Sequence, residues 1–247
     1  MNDRHKFILK LLSKKNEASV KELSSSLKVS SVTIRQDLTE LEKVGLIKRV
    51  HGGAVLETSD KISNRLAYNY EEKIKIAKKA AEFVNDGETV FIESGSVNTL
   101  LARELSSKND ITVLTSNIFI AREIKQYKNL NIIIMGGIYQ HISETLVGQL
   151  TNQCIQQFNF DKAFIGVDGF TIDTGFTSRD MLRAETASNI IKRCGTSFVL
   201  TDSSKFGRIA LTKMFETNRI NKIITNSIPT PEKEYLEKNN VKVVIAL

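Results

Sequence analysis

The stretch Val29-Ser-Ser-Val-Thr-Ile-Arg-Gln-Asp-Leu38, with Leu41-Glu-Lys-Val-Gly-Leu-Ile-Lys-Arg-Val-His-Gly-Gly-Ala-Val55 close behind it, decides the fold of the N-terminal part of this chain. Ser30 is a helix N-cap residue type and Gly45 a C-terminal cap, so one helix is predicted to start at Ser30 and reach Val44. At about 100° per residue, Ile34, Leu38, Leu41 and Gly45 share one face of it. Val32, Gln36, Thr39 and Lys43 lie opposite, with Thr33 and Arg35 on the flanks. Leu46 to Val50 then reads as a strand, His51-Gly52-Gly53 as a tight turn, and Ala54 to Leu56 as the returning strand. Upstream, Phe7, Ile8, Leu11 and Leu12 give a helix from about Asp3 to Lys14 its apolar stripe. A second helix, capped by Ser19 with Glu22 completing a capping box, carries Leu23 and Leu27 and ends near Lys28. Three helices and a hairpin in this order predict a winged helix-turn-helix over residues 1–57.

Residues 1–56 hold 11 Lys and Arg against 6 Asp and Glu, whereas the remaining 191 hold 24 against 22. Most of the net charge of +7 thus sits in less than a quarter of the chain. That points to a local anionic partner, although a plain solvated basic surface gives the same count. A recognition helix offers its first turns to base edges in the major groove. Arg35 then suits guanine and Gln36 adenine. Ser31, Thr33 and the helix N-terminus suit phosphate, Thr39 lies on the outward face, and Lys43, Lys48 and Arg49 add charge. His51, at the turn, has no companion metal ligands and reads as a phosphate- or backbone-contacting group. Double-stranded DNA is the expected partner; the alternative is the same fold used to bind protein.

After a polar connection at 58–69, a long helix is expected from about Tyr70 to Asn85, and strand and helix patterns then alternate. Strands are read at 89–92, 111–115, 132–135, 163–166, 198–201, 223–224 and 241–245, and helices at 97–105, 118–126, 148–158 and 182–194. This alternation predicts an α/β domain over 70–247 with a mostly parallel sheet. Polar or glycine-rich loops follow several strands: Glu93-Ser-Gly-Ser96, Thr115-Ser-Asn117, Gly136-Gly137 and Gly166-Val-Asp-Gly169. Ligands of open α/β sheets collect at the carboxyl ends of strands, where backbone N–H groups attract phosphate. Lys205, in Asp202-Ser-Ser-Lys-Phe206, adds a cation to such a convergent site.

Hydrophobic residues make up 41% of the chain and charged ones 26%, which excludes wholesale disorder. Cys154 and Cys194 have neither metal-ligand spacing nor a disulfide framework, so both are expected as small buried residues. No metal and no cofactor is expected. The start, MNDRHK, lacks an apolar core, and the longest apolar runs are strand-sized, so a soluble cytoplasmic protein is expected.

The opening stretch, together with Arg4 and Ile8 at matching spacing in the first helix, resembles the DNA-binding domain of the DeoR family of bacterial regulators. Gln36 departs from it, standing where that family often has a basic residue. Residues 69–247 resemble the family's sensor domain, which is similar in fold to ribose-5-phosphate isomerase and CoA transferases. The resemblance implies a ligand pocket with Glu93, Ser94, Gly95 and Ser96 as one wall and Thr115, Ser116 and Asn117 beside them. It implies that Asp168, Gly169, Gly175, Phe176, Thr177, Glu185 and Lys205 line the rest. Glu93 replaces an aspartate common in the family. The function implied is a regulator, a repressor of sugar or nucleoside catabolism genes relieved by a phosphorylated sugar. A homodimer or homotetramer is expected.

The alternative is a sugar-phosphate isomerase carrying a DNA-binding appendage. Such an enzyme needs a base and a group that stabilises the enediolate. Glu185 suits the first role and Asp168 suits the sugar hydroxyls, but Asp173-Thr-Gly-Phe-Thr177 lacks the lysine that the isomerase family places there. Sensing is therefore expected over catalysis.

Overall fold

The structure, a computed structural model, describes residues 2–15, 17–43, 46–56 and 62–247. The chain divides into two compact units, Met1–Tyr70 and Glu71–Leu247. The first contains α1 (Asp3–Lys15), β1 (Glu17–Ser19), α2 (Val20–Leu27), α3 (Ser31–Lys43), β2 (Ile47–Val50), β3 (Gly53–Leu56) and α4 (Ile62–Ala67). Ile8, Leu12, Leu23, Ile34, Leu38 and Leu41 close into one core, each fully buried, as the helical spacing of these residues requires. Ser19 Oγ accepts the Glu22 N–H at 3.1 Å. The expected capping box is only half made, because the Glu22 carboxylate pairs with Lys15. Ser30 Oγ accepts the Thr33 N–H at 3.1 Å and caps α3. Val44 and Gly45, expected as the end and cap of that helix, lie outside the described residues, as does 57–61.

Where the sequence predicts a two-stranded hairpin, the structure has three strands in the order β1-β3-β2. Gly53 makes this possible. A Cβ there would lie 2.3 Å from the Ala18 carbonyl oxygen, so only glycine lets β1 and β3 pair this closely. The connection expected at 58–69 also contains α4, a short helix with Ile62 buried. Ile62 and Leu66, a single turn apart, are too short an apolar stripe to read as a helix.

The second unit opens with α5 (Tyr70–Ala81), which ends four residues short of expectation. It continues through β4 (Thr89–Ile92), α6 (Ser96–Glu104), β5 (Ile111–Thr115), α7 (Ile118–Ile124), β6 (Leu130–Ile134), β7 (Ile138–Gln140), β8 (Thr145–Val147) and α8 (Gln149–Gln156). Then come β9 (Lys162–Gly166), β10 (Gly169–Thr171), β11 (Gly175–Ser178), α9 (Met181–Arg193), β12 (Thr196–Leu200), β13 (Thr212–Phe215), β14 (Lys222–Thr225), α10 (Thr230–Lys238) and β15 (Lys242–Ile245). Seven strands form one parallel sheet in the order β15-β14-β12-β9-β4-β5-β6. The chain steps outward from β4 to β6 and then returns to the other side of β4 with β9. Strand order therefore reverses between β4 and β9, the position where open sheets leave a crevice. On one face Phe91, Phe170, Phe176 and Phe215 join a single core, which also receives the small antiparallel sheet β10-β11-β13. Phe164 and Phe198 point to the other face and stack at 4.8 Å. Cys154 and Cys194 are free and half-buried. Among the described residues, no helix is long and apolar enough to cross a membrane.

Candidate functional site

The inward face of α3 carries a charged residue among its apolar ones. Asp37 is buried, and Arg4 grips it with two hydrogen bonds, Nε to Oδ2 at 2.8 Å and Nη2 to Oδ1 at 2.9 Å. His5 Nε2 lies 3.1 Å from Oδ1. The Arg4 hydrogen bonds, helped by the charges of Arg4 and His5, hold the Asp37 carboxyl below the usual carboxylate range despite its burial. His5, Asp37 and Glu40 bring ligand-type atoms within 4.8 Å of one another. Arg4 already occupies both Asp37 oxygens, so the group is a clamp between α1 and α3.

Outward, Ser31, Arg35, Gln36, Lys43, Lys48, Arg49 and His51 are exposed, and Thr33 and Thr39 half-buried. Among the described residues, the Arg35 guanidinium has a single long contact, 3.5 Å to Ser31 Oγ, and the Gln36 amide one of 3.4 Å to Glu40. Thr39 is committed. Its hydroxyl donates to the Arg35 carbonyl at 2.8 Å and accepts from Arg49 Nη1 at 3.0 Å. The Arg49 N–H donates to Glu42 Oε1 at 2.7 Å, so β2 is laced to α3 and their cations share one surface. Thr39 thus braces this surface.

In the second unit, Glu93 follows β4 and Asp168 follows β9, one on each side of the strand-order reversal. The Gly166 N–H donates to Glu93 Oε2 at 3.1 Å and Ser94 Oγ to Oε1 at 2.8 Å. Arg183, in the first turn of α9, places Nη2 3.5 Å from Asp168 Oδ2, which also accepts the Arg179 N–H at 3.1 Å. Glu93, Asp168 and Arg183 are all buried. Burial lifts the Glu93 pKa from 4.5 to about 7; Ser94, Arg183 and Gly166 pull it down and Asp168 adds to the rise. Among the described residues, Arg183 Nε and Ser116 Oγ are buried without a hydrogen-bond partner. Gly95, at φ 143 and ψ 151, adopts a backbone reserved for glycine and turns the chain directly into α6 at Ser96. The unpaired N–H groups of that helix therefore open at the end of β4. Two buried carboxylates and a buried guanidinium beside a helix N-terminus, at the strand-order reversal, form a set of groups suited to a ligand bearing hydroxyl and anionic groups.

Residues 68–227 match the DeoR C terminal sensor domain, and residues 4–60 the DeoR-like helix-turn-helix domain. The chain belongs to the DeoR family. This DeoR-family protein is a DNA-binding transcriptional regulator. It is 37% identical over 229 residues to the HTH-type transcriptional regulator GolR of Listeria innocua serovar 6a, across 91% of this chain and 90% of that one. It is 31% identical over 247 residues to the lactose phosphotransferase system repressor of Streptococcus mutans serotype c, across 96% of each. These relatives are named as regulators and repressors, not enzymes. A ribose 5-phosphate isomerase A from Methanocaldococcus jannaschii overlays with a TM-score of 0.41 at 20% identity, over 56% of this chain and 55% of that one. That overlay is too loose to transfer chemistry.

The pocket residues expected in this DeoR-family regulator do not all gather at the strand-order reversal. Glu93, Ser94, Gly95, Ser96 and Asp168 do. Thr115, Ser116 and Asn117 are buried at the end of β5. Thr115 Oγ1 is spent on the Ile92 carbonyl at 2.7 Å, and Asn117 caps α7 while its amide holds Ser143 and Thr145. Phe176 belongs to the core, 4.7 Å from the Phe170 ring and 5.4 Å from Phe215. Gly169, Gly175 and Thr177 build the small sheet. A Cβ on Gly169 would lie 2.3 Å from the Arg208 carbonyl, Gly175 turns at φ 69, and Thr177 Oγ1 accepts the Ala210 N–H at 3.0 Å. Glu185 is exposed on α9, about 200° around the helix from buried Arg183. Lys205 is half-buried in the turn at 203–205, beside Asp202. Asp202 in turn faces the buried Lys73 of α5 at 3.9 Å. Arg183 is the residue the sequence reading missed. Nothing local marks it, because its burial depends on an acid 15 positions away.

Proposed function

We propose that this regulator is a repressor of sugar catabolism genes, and that a phosphorylated sugar binding the crevice between β4 and β9 weakens its hold on the operator. The observation that carries this reading is the buried set Glu93, Asp168 and Arg183 at the strand-order reversal, beside the N-terminus of α6. Carboxylates accept hydrogen bonds from sugar hydroxyls, the guanidinium donates to oxygen, and the helix N-terminus favours phosphate. The name of the Streptococcus mutans relative, a lactose phosphotransferase system repressor, supports sugar control. In the first unit, Arg35 and Gln36 read base edges, and Ser31, Thr33, Lys43, Lys48, Arg49 and His51 hold phosphates. Relief requires that the sugar phosphate bind the DNA-free arrangement more tightly than the DNA-bound one. Two copies acting together suit a palindromic operator.

The test combines gel retardation of DNA from upstream of the regulator's own gene with thermal shifts against a panel of sugar phosphates. At least one of these is expected to raise the melting temperature and to release the DNA. No retardation at low salt sinks the DNA reading, and a panel without any stabilising compound sinks the sugar-phosphate reading.

A further inference from the structure

From Asn131 to Phe160 the chain has one residue of the Asp, Glu, Lys and Arg set, Glu144, in 30 positions, beside a single histidine, His141, whereas that set makes up 26% of the whole chain. Arg122 already holds the Glu144 carboxylate at 2.8 Å. The stretch is nevertheless not hidden. Ile134 at the end of β6, Ile138 and Tyr139 on β7, Ile142 in the turn to β8 and Leu150 on α8 are 40–66% exposed. Ile138 lies beside Gly148 and Leu150 beside Gly136, so neither exposed side chain is covered by a neighbouring side chain at that glycine.

Exposed aliphatic and aromatic side chains without charges are the composition of an interface centre. Charge also decides the occupant. A partner chosen by charge complementarity would find nothing to pair with here. A face that meets its own copy about a two-fold axis sets each side chain against an identical surface, and a face without Asp, Glu, Lys or Arg at its centre brings no like charges together. About a two-fold axis such a face is complementary to itself. We propose that the β7–β8 hairpin, with Ile134 and Leu150, is the contact between two copies of this chain. This rests on the reading that the regulator works as a pair and assigns the pair its surface.

Sedimentation equilibrium of the full chain at tens of micromolar tests it. The wild type is expected at twice 27.7 kDa or a higher even multiple. Ile138→Glu and Leu150→Glu, made separately, are expected to halve the mass with an unchanged circular dichroism spectrum, since both side chains already face water in one copy. Ile142→Asp replaces either variant that fails to fold. Leu211→Glu, at a leucine 74% exposed outside this face, is expected to keep the wild-type mass. A monomeric wild type overturns the pairing itself. A wild-type assembly that survives the hairpin and α8 variants, or that yields only to Leu211→Glu, overturns the surface and leaves the pairing standing.

Discussion

Glu93 is a carboxyl group almost wholly removed from water, and its proton is the measurable consequence. Its pKa is about 7 in the fold against 4.5 for the ordinary group, so between those values the folded chain binds the proton more tightly than the unfolded one. The stability this gives is fully present below pH 4.5 and is lost as pH rises to 7. The displacement corresponds to about 3 kcal/mol. Glu93→Gln removes the titration and keeps an oxygen for the Gly166 N–H. Urea titrations at pH 5 and pH 8 are expected to show the variant losing less stability than wild type across that interval. An equal loss would mean that Glu93 is not the titrating group. Arg183 compensates the same carboxylates. Arg183→Met strands two buried acids and is expected to cost about 3 kcal/mol in the same assay. An effect below about 0.5 kcal/mol would show that the guanidinium is not seated among them.

Among the elements, α3 depends on a residue whose type suggests exposure. Asp37→Ala leaves Arg4 and His5 without their acceptor and is expected to cost about 2 kcal/mol, moderated because Arg4 is partly exposed. Calorimetry should place the whole loss in the first unit's transition; an unshifted transition would refute the clamp. Periodicity and caps made α1, α2, α3 and the seven parallel strands legible, because each repeats an apolar residue at helical or strand spacing. Three residues with only Ala18 buried could not announce β1, which exists because Gly53 admits it. Helix α10 buries only Leu236 and so shows no stripe, although Pro231 in its first turn was a readable start signal. At the crevice, Glu93 and Asp168 were legible as polar residues after strands. Phe176 was misplaced because an aromatic beside a glycine turn reads equally as pocket or core, and Arg183 was silent because its meaning is tertiary.

For the whole molecule, charge sets the conditions of operation. Operator affinity is expected to fall linearly with salt on logarithmic axes, and Lys48→Ala to lower the slope by about one if Lys48 holds a phosphate. Fluorescence anisotropy at several salt concentrations checks this; an unchanged slope would exclude Lys48 from the backbone contacts. The parallel sheet has a further consequence for how such a molecule diversifies. Residues 93–96, 115–117, 166–169 and 202–205 leave the same rim of one buried sheet, yet belong to separate stretches of chain. Each stretch is therefore an exchangeable module on a chassis whose strand registers are fixed elsewhere. A lineage could alter these loops one at a time, without renegotiating the fold beneath or the separate N-terminal unit.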